Sequence, residues 1–176
     1  MPKGAAGDQH QGNRMSHRFD HQVALVTGAA GGIGQAMALA FAAEGASVVA
    51  ADINEEEANA TASSITDAGG NAIALRVDVT DADDAGQMVA ATVREYGQVD
   101  IIANVAGTGF RHSFLDAKAE DFERVMKVNL IGTFNTGQAA AREMVKRQYG
   151  RIINIASIAG NRAGAGRTAY GTSKSA

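Results

Sequence analysis

The chain has 176 residues, 16 Lys and Arg against 19 Asp and Glu, a formal net charge of −3 and no cysteine; this balance offers no basic surface to nucleic acid, and it excludes disulfides, cysteine nucleophiles and thiolate metal sites while fitting a reducing compartment. Hydrophobic residues make up 45% and charged residues 20%, the mix of one globular domain with a sizeable core. No apolar run reaches the ~20 residues needed to cross a bilayer and the polar start lacks the apolar stretch of a signal peptide, so no membrane partner and a cytoplasmic location are expected.

Met1 to His21 is polar, aperiodic and rich in Gly, Gln, His and Arg, and it reads as a disordered tail. Met15 is an alternative start, because patterning begins soon after it. The histidines His10, His17 and His21 are irregularly spaced, and no metal site is expected from them. Residues 22–176 are expected to form the domain.

From Val23 the chain alternates between apolar runs and helical periods. Val23 to Val26 reads as a strand, followed by glycines. Ile33, Met37, Ala40 and Phe41 then recur at helical spacing until Gly45. Ser47 to Ala51 is a second strand. Asn54 opens a helix whose first turn holds Glu55, Glu56 and Glu57, where the helix dipole favours acids; Gly69 and Gly70 stop it. Ala72 to Val77 is a third strand, and Asp81 to Tyr96 a helix with Met88, Val89, Thr92 and Val93 on one face. Val99 to Ala103 is a fourth strand. Phe122, Val125, Met126 and Leu130 mark a long helix, Arg151 to Ala156 a fifth strand, and a last helix begins near Thr168. Such alternation predicts an α/β fold with a parallel sheet covered on both faces. Its strands end at a common edge, where ligands bind in folds of this class.

The motifs fall at that edge. Thr27-Gly28-Ala29-Ala30-Gly31-Gly32-Ile33-Gly34 lies between a strand and a helix, where glycines let a diphosphate approach the backbone and the helix start supplies N–H donors. Asp52 ends the second strand. A carboxylate there can accept from both hydroxyls of an adenosine ribose and would repel a 2′-phosphate, which favours NAD over NADP; capping the next helix would suit Asp52 equally. Tyr170 and Lys174 stand one helical turn apart on one face. An ammonium beside a phenol favours the phenolate, so such a tyrosine can exchange a proton at working pH.

Together these residues resemble the short-chain dehydrogenase/reductase family, from Gln22 to the last residue. The glycine string matches its Thr-Gly-x-x-x-Gly-Ile-Gly, and Tyr170-Gly171-Thr172-Ser173-Lys174 its Tyr-x-x-x-Lys. Asn104-Val105-Ala106-Gly107 is similar to its Asn-Asn-Ala-Gly. Asp78 and Val79 end the third strand where that family contacts adenine, Asn129 lies in the long helix, and Ser157 precedes Tyr170 at the family's spacing. The resemblance implies a doubly wound Rossmann-type parallel sheet of strand order 3-2-1-4-5. It implies hydride transfer between a nicotinamide and a small-molecule ketone or secondary alcohol. Tyr170 would move the proton and Ser157 would point at the substrate oxygen. Lys174 would bond the nicotinamide ribose, and Asn129 would hold a relay water. Gly28, Gly32, Ile33, Gly34, Asp52, Asp78, Val79, Asn104, Ala106 and Gly107 would contact the cofactor, with Tyr170 and Lys174. A homodimer or homotetramer is implied too.

Two departures stand out. Val105 removes an amide that could brace the sheet. Family members also run on through further strands, so the last strands are missing and the domain is expected to be incomplete at its C-terminus, binding NAD poorly and turning over little by itself. An inactive fragment, a nucleotide-binding protein without catalysis and a purely structural domain remain open as alternatives. Arg111, Arg162 and Arg167 lie in the loops near the site. They could meet an acidic substrate or be solvated loop charges.

Overall fold

A computed structural model describes residues 17–162 and 164–176. Five parallel strands, β1 (Val23–Thr27), β2 (Ser47–Asp52), β3 (Asn71–Arg76), β4 (Ile101–Asn104) and β5 (Arg151–Asn154), lie in the order β3-β2-β1-β4-β5. The helices between them are α1 (Gly32–Ala43), α2 (Glu55–Asp67), α3 (Ala82–Tyr96), α4 (Ala119–Met126) and α5 (Thr133–Arg147), and α6 (Thr168–Ser175) follows β5. The chain runs outward from β1 to β3 and then returns to β4. The order therefore reverses between β1 and β4, the position where such sheets open a crevice.

Burial explains why these segments are strands. Every residue of β1 and of β4 is buried, which suits uninterrupted apolar runs covered on both faces. Alternate residues face opposite cores. Ala24, Val26, Val48 and Ala50 pack with Phe41 and Ile65, whereas Leu25, Val49 and Ile102 pack with Met88, Val89 and Met144. Helix starts are set by side chains that accept unpaired N–H groups: Asn54 accepts from the Glu57 N–H, and Asp81 from those of Asp83 and Asp84. Gly97 closes α3 with a left-handed φ of 79°, a conformation that glycine adopts without strain.

The edge away from the crevice is closed by a carboxylate. Asp100 is buried and accepts from the Val23 N–H (2.8 Å), Gln98 Nε2 (2.6 Å) and Arg147 Nη1 (2.9 Å). With three donors on one carboxylate, its burial is compensated.

Three expectations change. Residues 1–16 of the expected tail, with His10 and Met15, lie outside the described residues. His17 to His21, read as part of that tail, form a turn tied to the domain. The Phe19 N–H donates to the Glu44 carbonyl (2.9 Å), and the Phe19 ring meets Phe41 edge-on at 5.2 Å. The long helix is one rod with a π turn (Lys127–Gly132) joining α4 to α5. β5 is shorter than expected and mostly exposed, Ile152 at 45%, so the cover expected on both faces is incomplete there. Among the described residues no helix is long and apolar enough to cross a membrane.

Candidate active site

The glycine loop is fixed by how closely backbone meets backbone. Gly28 has φ +71°, and a Cβ there would stand 2.7 Å from Ala106 N. A Cβ on Gly34 would collide with the Gly28 carbonyl oxygen. The buried Thr27 hydroxyl completes the knot by accepting from the N–H groups of Val105 (3.1 Å) and Ala106 (3.3 Å). The end of β1, the start of α1 and the loop after β4 are thus held as one unit.

That unit walls a cleft of about 530 Å³, within the ~300–1,000 Å³ typical of ligand sites. Gly28, Ile33, Gly34, Asp52, Asp78, Val79, Ala106 and Gly107 line it, all expected from sequence. Gly31, Ile53, Val77, Val105, Thr108 and Val128 line it as well. Gly32, with φ +53° and open space around its α-carbon, begins α1 without lining the cleft.

Asp52 uses one carboxylate oxygen to accept from the Ala30 N–H and the other from Asn54 N–H, both at 3.0 Å. It ties the glycine loop to the start of α2 and, being partly exposed, keeps lone pairs on both oxygens. The helix cap is Asn54, not Asp52. Asp78 accepts from the Thr80 N–H at 2.9 Å. Hydrogen bonds from Thr80, side chain first and backbone second, hold its carboxyl below the usual carboxylate range.

Asn104 does not line the cleft. Its Nδ2 donates to Asn154 Oδ1 (2.9 Å) and its Oδ1 accepts from the Thr136 hydroxyl (2.8 Å), so this amide braces β4 against β5 and α5. The brace assigned from sequence to the position of Val105 is therefore supplied by Asn104, and Val105 packs in the cleft wall.

The four expected catalytic residues occupy three settings. Asn129, in the π turn and buried, donates through Nδ2 to the Thr108 carbonyl and to Ser173 Oγ, both at 2.9 Å. Its Oδ1 accepts from the Thr108 N–H at 2.7 Å. Both amide hydrogens are engaged, leaving a lone pair of Oδ1 for the relay water that the resemblance implies. Ser173 in turn donates to the Tyr170 carbonyl at 2.8 Å, so Asn129 reaches the Tyr170 helix through a hydroxyl that sequence reading passed over. Its signal was there: Ser173 stands three residues from Tyr170, one turn along α6.

Lys174 Nζ donates to the Ile155 carbonyl at 2.6 Å. With Asn129 and Ser173 it lines a cavity of about 600 Å³ along β5 and α5. Tyr170 faces another cavity, about 370 Å³, with Gly109, Phe110, Arg111 and Arg167. Ser157 caps a short 3₁₀ turn (Ile158–Gly160), its Oγ accepting from the Ala159 N–H at 3.2 Å, and it lines none of these three spaces.

The short chain dehydrogenase family profile matches residues 22–176. A 3-oxoacyl-(acyl-carrier-protein) reductase of Thermotoga maritima is 37% identical over 157 residues, 89% of this chain and 64% of that protein. A 7alpha-hydroxysteroid dehydrogenase of Escherichia coli is 38% identical over 159 residues, 90% of this chain and 62% of that protein. The crystal structure of an NAD⁺-bound xylitol dehydrogenase superposes with a TM-score of 0.87 at 38% identity, covering 90% of this chain and 61% of that one. The chain thus spans less than two thirds of the length of these relatives.

Proposed function

The chain belongs to the short chain dehydrogenase family, and from that premise we propose that it interconverts a secondary alcohol and a ketone by hydride transfer with NAD. One observation carries the reading: eight residues from the ends of four strands and the start of α1, each expected to contact a dinucleotide, converge on one cleft. The cleft suits that group chemically. Gly31 lines the cleft with open space where a side chain would stand, which leaves bare backbone for phosphates, and the start of α1 offers N–H donors. Asp52 retains acceptor capacity for ribose hydroxyls, which supports NAD over NADP.

When bound, the reduced cofactor would supply hydride to a carbonyl carbon. The residues of this chain handle the oxygen. As the C=O bond opens, Tyr170 gives its phenolic proton to that oxygen, and in oxidation it takes the proton back. Ser157 keeps its hydroxyl proton, since its oxygen is the acceptor in its bond to Ala159, and can donate it to the growing oxyanion. Lys174 has two ammonium hydrogens beyond the one given to Ile155, enough to meet a nicotinamide ribose and stabilise the phenolate. Asn129 clamps the Thr108 segment of the cleft to α6. A cytoplasmic location and a homodimer or homotetramer belong to the same proposal.

A second reading, nucleotide binding without turnover, is favoured by one fact: Tyr170 and Lys174 line separate cavities. Two measurements separate the readings. NADH fluorescence titration of the purified chain should show weak but saturable binding, and absence of binding refutes both. Absorbance assays with NAD⁺ and a panel of secondary alcohols should then show low but measurable turnover, whereas binding alone selects the second reading. Tyr170→Phe should keep NADH binding and lose about 10²–10⁴-fold in turnover. Undiminished turnover in that variant refutes the proton role of Tyr170.

A further inference from the structure

The cavity beside Tyr170 carries two cations and no acid. Arg111 and Arg167 line it with Gly109, Phe110 and the tyrosine ring. Two loops make it. Gly166 has φ +75°, and a Cβ there would come 3.1 Å from the His112 carbonyl oxygen and 3.4 Å from Arg111 Cγ. The His112 N–H donates to the Gly166 carbonyl at 3.1 Å. This lacing fixes the stem of Arg111 next to the residue preceding Arg167. Gly109 admits the tyrosine ring on the other side, its notional Cβ standing 3.0 Å from Tyr170 Cδ2. The Arg167 guanidinium stands 6.0 Å from the centre of that ring.

Neither guanidinium joins any of the ion pairs among the described residues, which involve Arg18, Arg124, Lys146 and Arg147. The chain as a whole is acidic, yet the stretch from Arg151 to Ala176 holds Arg151, Arg162, Arg167 and Lys174 and no Asp or Glu. Like charges on one rim repel unless an anion lies between them. Guanidinium forks match carboxylate and phosphate oxygens in pairs, and Phe110 adds an apolar wall.

We infer that this cavity is an anion subsite of the substrate site, and that the substrate is a carbonyl or hydroxyl compound bearing a carboxylate or phosphate group. The inference rests on the reading of Tyr170 as the proton donor only for calling the bound molecule a substrate. The subsite is testable without turnover.

Saturation-transfer NMR of the purified chain with benzoate, phenyl phosphate and neutral benzamide gives the test. The anions should bind about tenfold or more tighter than benzamide. The double variant Arg111→Gln/Arg167→Gln, altered only at exposed loop positions, should erase that difference and leave NADH binding unchanged. Stronger binding of benzoate identifies a carboxylate, stronger binding of phenyl phosphate a phosphate. Equal binding of all three probes overturns the subsite, as does anion binding that survives in the double variant. Because no hydride moves in this experiment, its failure is distinct from a failure of turnover.

Discussion

At the ends of β1 to β4 the candidate site is made by backbone packed on backbone; at the end of β5 it is made by side chains reaching across gaps. In the first region Gly28, Gly34 and Ala106 leave no room for a methyl group, and Thr27 locks two loops with one hydroxyl. In the second, Lys174 reaches Ile155, Ser173 links Asn129 to Tyr170, and Ser175 donates to the Gly160 carbonyl at 2.6 Å. The strand beneath is exposed. Close packing is intolerant of any added atom, whereas a tethered region can lose one tie at a time. The cleft should therefore be the rigid part of the candidate site, and Ser157, Tyr170 and Lys174 the adjustable part.

The largest expected effect is in the cleft. Gly34→Ala places a methyl group against the Gly28 carbonyl, where only backbone can yield. It should cost about 3 kcal/mol, lowering Tm by roughly 6–12 °C for a chain of this size, and it should weaken NADH binding. Ser157→Ala, across the edge, should move Tm by about 2–4 °C, since it loses a single part-buried cap bond worth about 1 kcal/mol. Equal shifts in the two variants would erase the distinction between the regions.

Next comes the tie between them. Asn129→Ala leaves the N–H and C=O of Thr108 without their amide partner and removes a donor from Ser173. The cost should be about 1–3 kcal/mol. Hydrogen exchange should locate it, with faster exchange in α6 and none in α1. Equal acceleration in both helices would mean that the two regions open together.

A smaller effect, on selectivity, is expected at Asp52. Asp52→Ala should weaken NADH about tenfold, the size of one charge-assisted hydrogen bond, and narrow its advantage over NADPH as a carboxylate repelling the 2′-phosphate is lost. Unchanged preference would remove Asp52 from the assignment.

The cleft was legible in the sequence because its parts are local: a glycine string between strand and helix, and an acid where β2 ends. The fold followed from apolar runs alternating with helical periods. What stayed hidden depends on partners distant in sequence. Asn104 braces the sheet because Asn154 lies beside it in register, and nothing near Asn104 announces this. The π turn has no side-chain signature, since Lys-Val-Asn-Leu-Ile-Gly suits an ordinary helix equally well. Phe19 was lost among polar neighbours, although one aromatic ring against Phe41 suffices to fix the turn. β5 is apolar, and its exposure depends on what lies against it, which local pattern cannot express.

Acid should separate the two regions most finely. Asp78, in the cleft wall, is held below the usual carboxylate range by Thr80, with smaller help from Arg76 and Lys127 and against the cost of burial. A depressed carboxyl binds its proton less readily folded than unfolded. Its contribution is therefore complete above the unfolded value, about 4, and disappears as pH falls through the lower folded value. From Arg151 onward no Asp or Glu exists to titrate, so the β5 region has no counterpart of its own. Asp78→Asn keeps an acceptor for Thr80 but removes the charge. Urea midpoints of the two proteins should differ slightly at pH 7, and the difference should shrink as pH falls below about 4. A gap that widened in acid would mean that Asp78 is stabilised in its protonated form, and the Thr80 bonds would no longer explain its place in the cleft.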